Sequence, residues 1–174
     1  MGVGWIMTLQ LISDLSQIAA TIAVVASLLF VGMQIRQNTR SQRVVAVNSL
    51  TAAAVAINVP GMESPAFGEA LASAMKDWRG ASREERIVAH YFLFSFFKLA
   101  ESAWYQRELQ ALDVSQWAGW ESLMLSFYHC DGVKSGWWLH RGDVYSPRFR
   151  AYLESTLCTA KSAMLDKIFS GELP

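Results

Sequence analysis

The chain is short of side chains that do chemistry. Two cysteines and three histidines are its whole supply of thiol and imidazole ligands in 174 residues. Cys130 and Cys158 form no CxxC pair and belong to no His/Cys tract, so no structural zinc site is expected. In a reducing compartment both are expected as thiols. Gly80, Gly132, Gly136 and Gly142 fit neither GxxxxGK[ST] nor GxGxxG, which excludes the common phosphate-binding loops. No stretch alternates apolar and polar residues as a half-buried strand does, and no internal repeat or low-complexity tract is present. Formal net charge is zero, which leaves no electrostatic footprint for nucleic acid.

The charges are unevenly placed. No Lys or Arg precedes Arg36, and the first 35 residues carry only Asp14. Arg36, Arg40 and Arg43 then follow closely. Between these limits lies an apolar run, Leu15 to Ile35, without charge from Ile18 to Met33 and with Thr21 and Ser27 as its polar side chains there. A bilayer core needs about 20 such residues in a helix. Hydroxyls are tolerated because they bond back to a carbonyl one turn earlier. The missing basic n-region and the absence of an Ala-x-Ala site weigh against a cleaved signal peptide. Residues 15–35 are therefore read as one transmembrane helix, residues 1–14 as a short extracytoplasmic N-terminus, and everything from Arg36 onward as cytoplasmic by the positive-inside rule. Trp5 is expected at the outer headgroup level. Arg36, Arg40 and Arg43 are expected against anionic lipid headgroups. Gln34, Gln37 and Asn38 are a less expected part of this collar, which needs only charge.

Ala19, Ala23 and Ser27 recur at four-residue spacing. Small residues so placed let a second helix approach closely. They equally fit the ordinary composition of a membrane helix.

Beyond the collar the pattern stays helical. Val44, Val47, Leu50, Ala54 and Ile57 recur at three and four, giving a juxtamembrane helix over 36–58 that Pro60 and Gly61 end. Residues 62–174 then form a small helical domain. Ser64-Pro65 opens a helix to about Trp78, with Phe67, Leu71 and Met75 as its stripe. Ser82 and Glu85 make a capping box for the central helix, expected to reach about Leu112. Asp113 caps a helix to about Tyr128. Cys130–Gly136 reads as a loop, Trp137–Leu139 as a helical turn, Gly142–Ser146 as a loop, and Pro147 as the start of a last helix to about Phe169. Twelve per cent aromatics, with seven tryptophans, is enough to build the domain core and leave some for lipid or a partner.

Few groups qualify as reactive. Glu101 lies among Phe97, Leu99, Ala100 and Trp104, where a carboxylate needs a partner or a raised pKa. Lys98 is one turn away and supplies an ion pair. His129, Cys130 and Asp131 stand near His140 and Asp143, types suited to zinc or a Cys-His nucleophile, but with no familiar ligand spacing and no glycine-rich turn before a helix. His90 reads as a satisfied core histidine. Glu101, His129 and His140 remain weak candidates, and no catalytic, metal or cofactor residue is assigned.

Ile22-Ala23-Val24-Val25-Ala26-Ser27-Leu28-Leu29, running into Gln34-Ile35-Arg36-Gln37-Asn38-Thr39-Arg40, resembles a widespread bacterial family of single-pass membrane proteins whose mark is a Gln-Ile-Arg-Gln-Asn-Thr sequence after the span. Glu101-Ser102-Ala103-Trp104-Tyr105-Gln106, Trp137-Trp138 and Ser146-Pro147-Arg148-Phe149 resemble later parts of it. The resemblance implies architecture, one anchor and one helical cytoplasmic domain in the bacterial inner membrane. It assigns no activity and no functional residue.

The expectation is an all-α, non-enzymatic, membrane-anchored interaction module. It would be an accessory or assembly subunit of a larger inner-membrane complex (respiratory, photosynthetic or transport) or a homo-oligomer, with membrane helices and anionic lipid as partners. The alternatives are a membrane-localised signalling or ligand-sensing domain, and an enzyme using Glu101 or the His129–Asp143 region.

Overall fold

The computed structural model describes residues 3–159, 165, 167 and 168, and the side chains of all of these except 3–10, 12–14 and 62. Every regular element among the described residues is helical. The chain divides into two compact units, Met1–Val44 and Val45–Pro174.

Helix α1 runs unbroken over Val3–Glu63. Among the described residues one helix is long and apolar enough to cross a membrane: within Leu15–Gly61 a stretch of 18 residues has mean hydropathy 2.2, and none of it is buried. Thr21 supports the reading of tolerated hydroxyls, since its Oγ1 donates to the Gln17 carbonyl at 2.8 Å. The stretch before Leu15 simply extends the helix. The side chain of Trp5 lies outside the described residues.

Pro60 does not stop α1 where the sequence pattern places the end. It sits inside the last turn. Proline has no N–H, so the bond that position 60 would have donated to the Ala56 carbonyl is missing. The turn is completed by the Ser64 N–H, which donates to the Pro60 carbonyl at 3.1 Å. The part of α1 from Val45 onward belongs to the second unit. There Leu50 is buried in the core and Val47 and Ile57 pack against it. Val45, Val55 and Val59 stay exposed.

In the second unit, α2 (Pro65–Lys76) starts at Ser64 with Pro65 in its first turn and buries Leu71 and Met75. The central helix α3 (Arg83–Glu108) carries the full capping box: Glu85 N–H donates to Ser82 Oγ at 3.2 Å, and Ser82 N–H donates to Glu85 Oε2 at 2.6 Å. It buries Ala89, Leu93, Phe97, Ala100 and Trp104, a stripe at three- and four-residue spacing. It stops short of Leu112. Gln110 takes a left-handed conformation at φ 58°, and the Ala111 N–H donates back to the Gln106 carbonyl at 2.8 Å. Glycine usually marks such an ending, so glutamine hides it. Helix α4 (Val114–Tyr128) is capped by Asp113, whose Oδ1 accepts from the N–H groups of Ser115 and Gln116 at 2.8 and 2.9 Å.

The expected loop after Cys130 is instead a π turn, Val133–Trp137, leading into α5 (Trp138–Arg141) and a 3-10 turn, Gly142–Val144. The last helix, α6 (Pro147–Ser155), is shorter than expected. Thr156 closes it: its N–H and Oγ1 both donate to the Leu153 carbonyl, at 3.2 and 2.6 Å. Phe169, its expected end, lies outside the described residues.

Aromatic rings fill the core. Phe96 packs on Phe127 at 4.3 Å between centroids, and Phe97 lies between Trp137 and Trp138 at 5.7 and 5.2 Å. Trp138 stacks on Tyr145 at 5.1 Å.

Candidate functional site

Ala19, Ala23 and Ser27 are exposed on α1, as are Arg36, Arg40 and Arg43. Gln34, Ile35, Gln37, Asn38 and Ser41 line a shallow, mostly apolar depression on the same helix. The amides of the exit segment therefore share one patch of helix surface.

Glu101 is held rather than free. Lys98 Nζ reaches its Oε2 at 3.0 Å, and the Ser146 N–H donates to its Oε1 at 2.7 Å. Lys98 also donates to the Val144 carbonyl at 2.8 Å and lies 4.6 Å from the centre of the Tyr145 ring. The pair thus ties α3 to the chain entering α6. Its carboxylate meets the N-terminal end of α6, where negative charge is favoured. Burial alone would raise the Glu101 carboxyl, but the Ser146 and Lys98 bonds outweigh it and hold it below the usual range. Glu101→Ala is expected to cost about 1.5–3 kcal/mol, the scale of hydrogen bonds to a charged group. The sign of the pH effect follows. A lowered folded-state value gives stability that is complete above the unfolded carboxylate range and fades as pH falls through the lowered value. Glu101→Gln should remove that part of the acid sensitivity, measured as the unfolding midpoint against pH.

The histidines do not join it. His129 ends α4, is buried, and packs edge-on to Tyr128 at 5.1 Å. Its Nε2 has no hydrogen-bond partner. Burial first, then Lys134, lowers its pKa. His140 is exposed. His90 accepts from Trp137 Nε1–H at 3.1 Å through Nδ1, and burial, then Arg141, lowers its pKa. Cys130 is buried and Cys158 exposed, both thiols. Among the described residues no group of three or more His, Cys, Asp or Glu is placed to hold a metal ion.

Two surface clefts flank Trp78. One, of about 280 Å3, is lined by Lys76, Arg79, Asp131 and Ser135 among others. The other, of about 430 Å3, is lined by Arg83, Arg86, Ile87, His90 and Tyr91. Reading the sequence alone passed over this corner. Its signal was the run of four cations from Lys76 to Arg86 around one tryptophan. Arginines beside exposed aromatic and apolar side chains suit binding more than proton transfer.

The chain is thus an all-α protein with, among the described residues, one helix fit to cross a membrane, and a compact aromatic-cored domain. Compared with family models, curated proteins and solved structures, it matches none.

Proposed function

We propose that this chain is a non-enzymatic, membrane-anchored interaction module of the bacterial inner membrane, N-terminus outside and helical domain in the cytoplasm. The observation that carries the reading is the apolar window of α1, wholly exposed in the chain by itself. An unburied surface of that kind is stable in lipid and not in water. The three arginines after it support the orientation. Membership of the family that the Gln34–Arg40 segment resembles belongs to the same proposal. Glu101 is held by Lys98 and the Ser146 N–H, and His129 is buried against Tyr128, which favours a binding role over an enzymatic one.

Two measurements test it. After alkaline extraction of membranes the protein should stay in the pellet; recovery in the supernatant would end the anchored reading. Purification in mild detergent should bring down a stoichiometric assembly, and a lone monomer would sink the interaction module. If other subunits come along, the chain is an accessory subunit. If only copies of itself do, the assembly is a homo-oligomer.

A further inference from the structure

The two clefts beside Trp78 differ in charge. The one that includes Lys76 and Arg79 also has Asp77 and Asp131 in its wall. The larger, of about 430 Å3, has no carboxylate among its lining residues, which are Trp78, Arg83, Arg86, Ile87, His90 and Tyr91. All of these but Trp78 come from the start of α3. Arg83, Arg86 and His90 follow one another at spacings of three and four, which sets them in one row along the helix. Ile87 and Tyr91 form a second row beside it. One row carries N–H donors and the other carries apolar surface.

The donors of the first row are unspent. Among the described residues the Arg86 guanidinium has no hydrogen bond, ion pair or ring contact. Glu85, its neighbour in sequence, is occupied by the capping box. Arg83 reaches only Glu84, at 4.0 Å and with both side chains largely exposed, a pair worth little in water. His90 is oriented from behind. The buried Trp137 indole N–H can only donate, so His90 Nδ1 accepts and the neutral ring carries its own proton on Nε2. Nε2 has no hydrogen-bond partner among the described residues, so it adds a third donor to the two guanidiniums. Such a set matches the oxygens of a phosphate, and side chains supply it without a glycine-rich loop. On the apolar side Tyr91 is 68% exposed, and Trp78 is packed at its base against Gly136. Exposed aromatic rings are platforms for planar ligands. From Arg83 to His90 the helix rises about 10 Å, the scale of one nucleotide rather than of a strand.

We propose that this cleft binds a nucleotide, with its phosphate held by Arg83, Arg86 and the His90 Nε2–H and its base laid on the exposed ring of Tyr91 beside Trp78. A small ligand of this kind goes beyond the interaction-module reading. All six lining residues lie in the second unit, so the site is independent of the anchor.

The test is equilibrium dialysis of the full chain, purified in mild detergent, against labelled ADP. Saturable binding at one site per chain is expected, and no saturation at millimolar ADP overturns the proposal. Arg86→Gln should weaken binding about tenfold, the loss of one charge-assisted hydrogen bond. Tyr91→Ala should weaken it about threefold. Unchanged affinity in either variant overturns the assignment. Arg86 is unpaired and Tyr91 mostly exposed, so both variants should keep the parental unfolding temperature. Lys76→Gln removes the same charge from the other cleft and should leave binding unchanged. A loss there equal to that of Arg86→Gln would mean diffuse attraction and no site. Pyrophosphate and adenosine separate the two halves of the ligand, and each should bind more weakly than ADP by about tenfold. Either one matching ADP overturns the joint recognition of phosphate and ring. Alkaline extraction of membranes tests the anchor separately, and neither of its outcomes bears on this cleft.

Discussion

Replacing Phe97 by alanine is expected to lower the stability of the helical domain by about 3–5 kcal/mol, the cost of removing a large aromatic from a closed core. Phe97 has no exposed surface. It touches Phe96, Trp137, Trp138 and Tyr145 with centroids 5.2–6.3 Å away, so the hole would lie between α3 and the chain that leads into α6. Those neighbours are themselves clamped: Trp137 by His90, Tyr145 by its hydroxyl donating to the Phe94 carbonyl at 3.3 Å, Trp138 by Glu154 at 3.1 Å. They are poorly placed to collapse into the gap. Small domains have roughly 5–15 kcal/mol in all, so this one change uses a large share of the total. Denaturant unfolding in detergent, followed by tryptophan fluorescence, measures the loss. Leu109→Ala, at a residue 78% exposed, should stay within about 0.5 kcal/mol of the parent. A Phe97→Ala loss below about 1.5 kcal/mol would mean that the aromatic cluster is looser than described.

The second large effect concerns a residue without a side chain. A Cβ added at Gly132 would collide with the backbone carbonyls of Ala74 and Met75. Those oxygens belong to α2 and have no rotamer to escape through, so the helix and the π turn must separate. Gly132→Ala is expected to destabilise by about 1–3 kcal/mol. Gly119 in α4 gives the opposite sign. Nothing lies within 4 Å of its added Cβ, and alanine in a helix interior is favoured over glycine. Gly119→Ala should therefore stabilise by about 0.5–1 kcal/mol. The same unfolding measurement reads both. If both glycines prefer alanine, the close approach of α2 to the π turn is wrong.

These glycines mark where sequence reading stops. Local signals were legible because the physics is local. Ser82 with Glu85, and Asp113 with the amides that follow it, satisfy helix ends from within a few residues, and both starts stand where the pattern puts them. The all-α class followed from spacing alone. The long apolar helix followed from its composition. Ends governed by distant or atypical contacts were hidden. Gln110 adopts a conformation that the pattern reserves for glycine, Pro60 is absorbed into a final turn, and Thr156 closes α6 through a carbonyl any residue could have offered. The Glu101–Ser146 bond joins residues 45 apart, and no periodicity announces such a pairing. Lys98 was visible as Glu101's neighbour; its reach to Val144 was not. Glycines 132 and 136 looked like loop residues because a helix packed against backbone and a loop draw on the same amino acid.

The π turn at Val133–Trp137 also says something about the length of this segment. It closes on the Trp138 N–H donating to the Val133 carbonyl, one residue further back than an α-helix allows. Shortening the stretch by one residue, at Ser135 for instance, would let it rewind as ordinary α-helix with better backbone bonds. Each residue of α-helix turns through about 100°, so everything after the deletion would rotate by that amount. Trp137 would leave His90 and Phe97, and Trp138 would leave Tyr145. The surplus residue in that turn is a phase setting. The chain accepts a poorer local helix there so that two successive tryptophans both point inward, and a protein one residue shorter would have the better helix and the worse core.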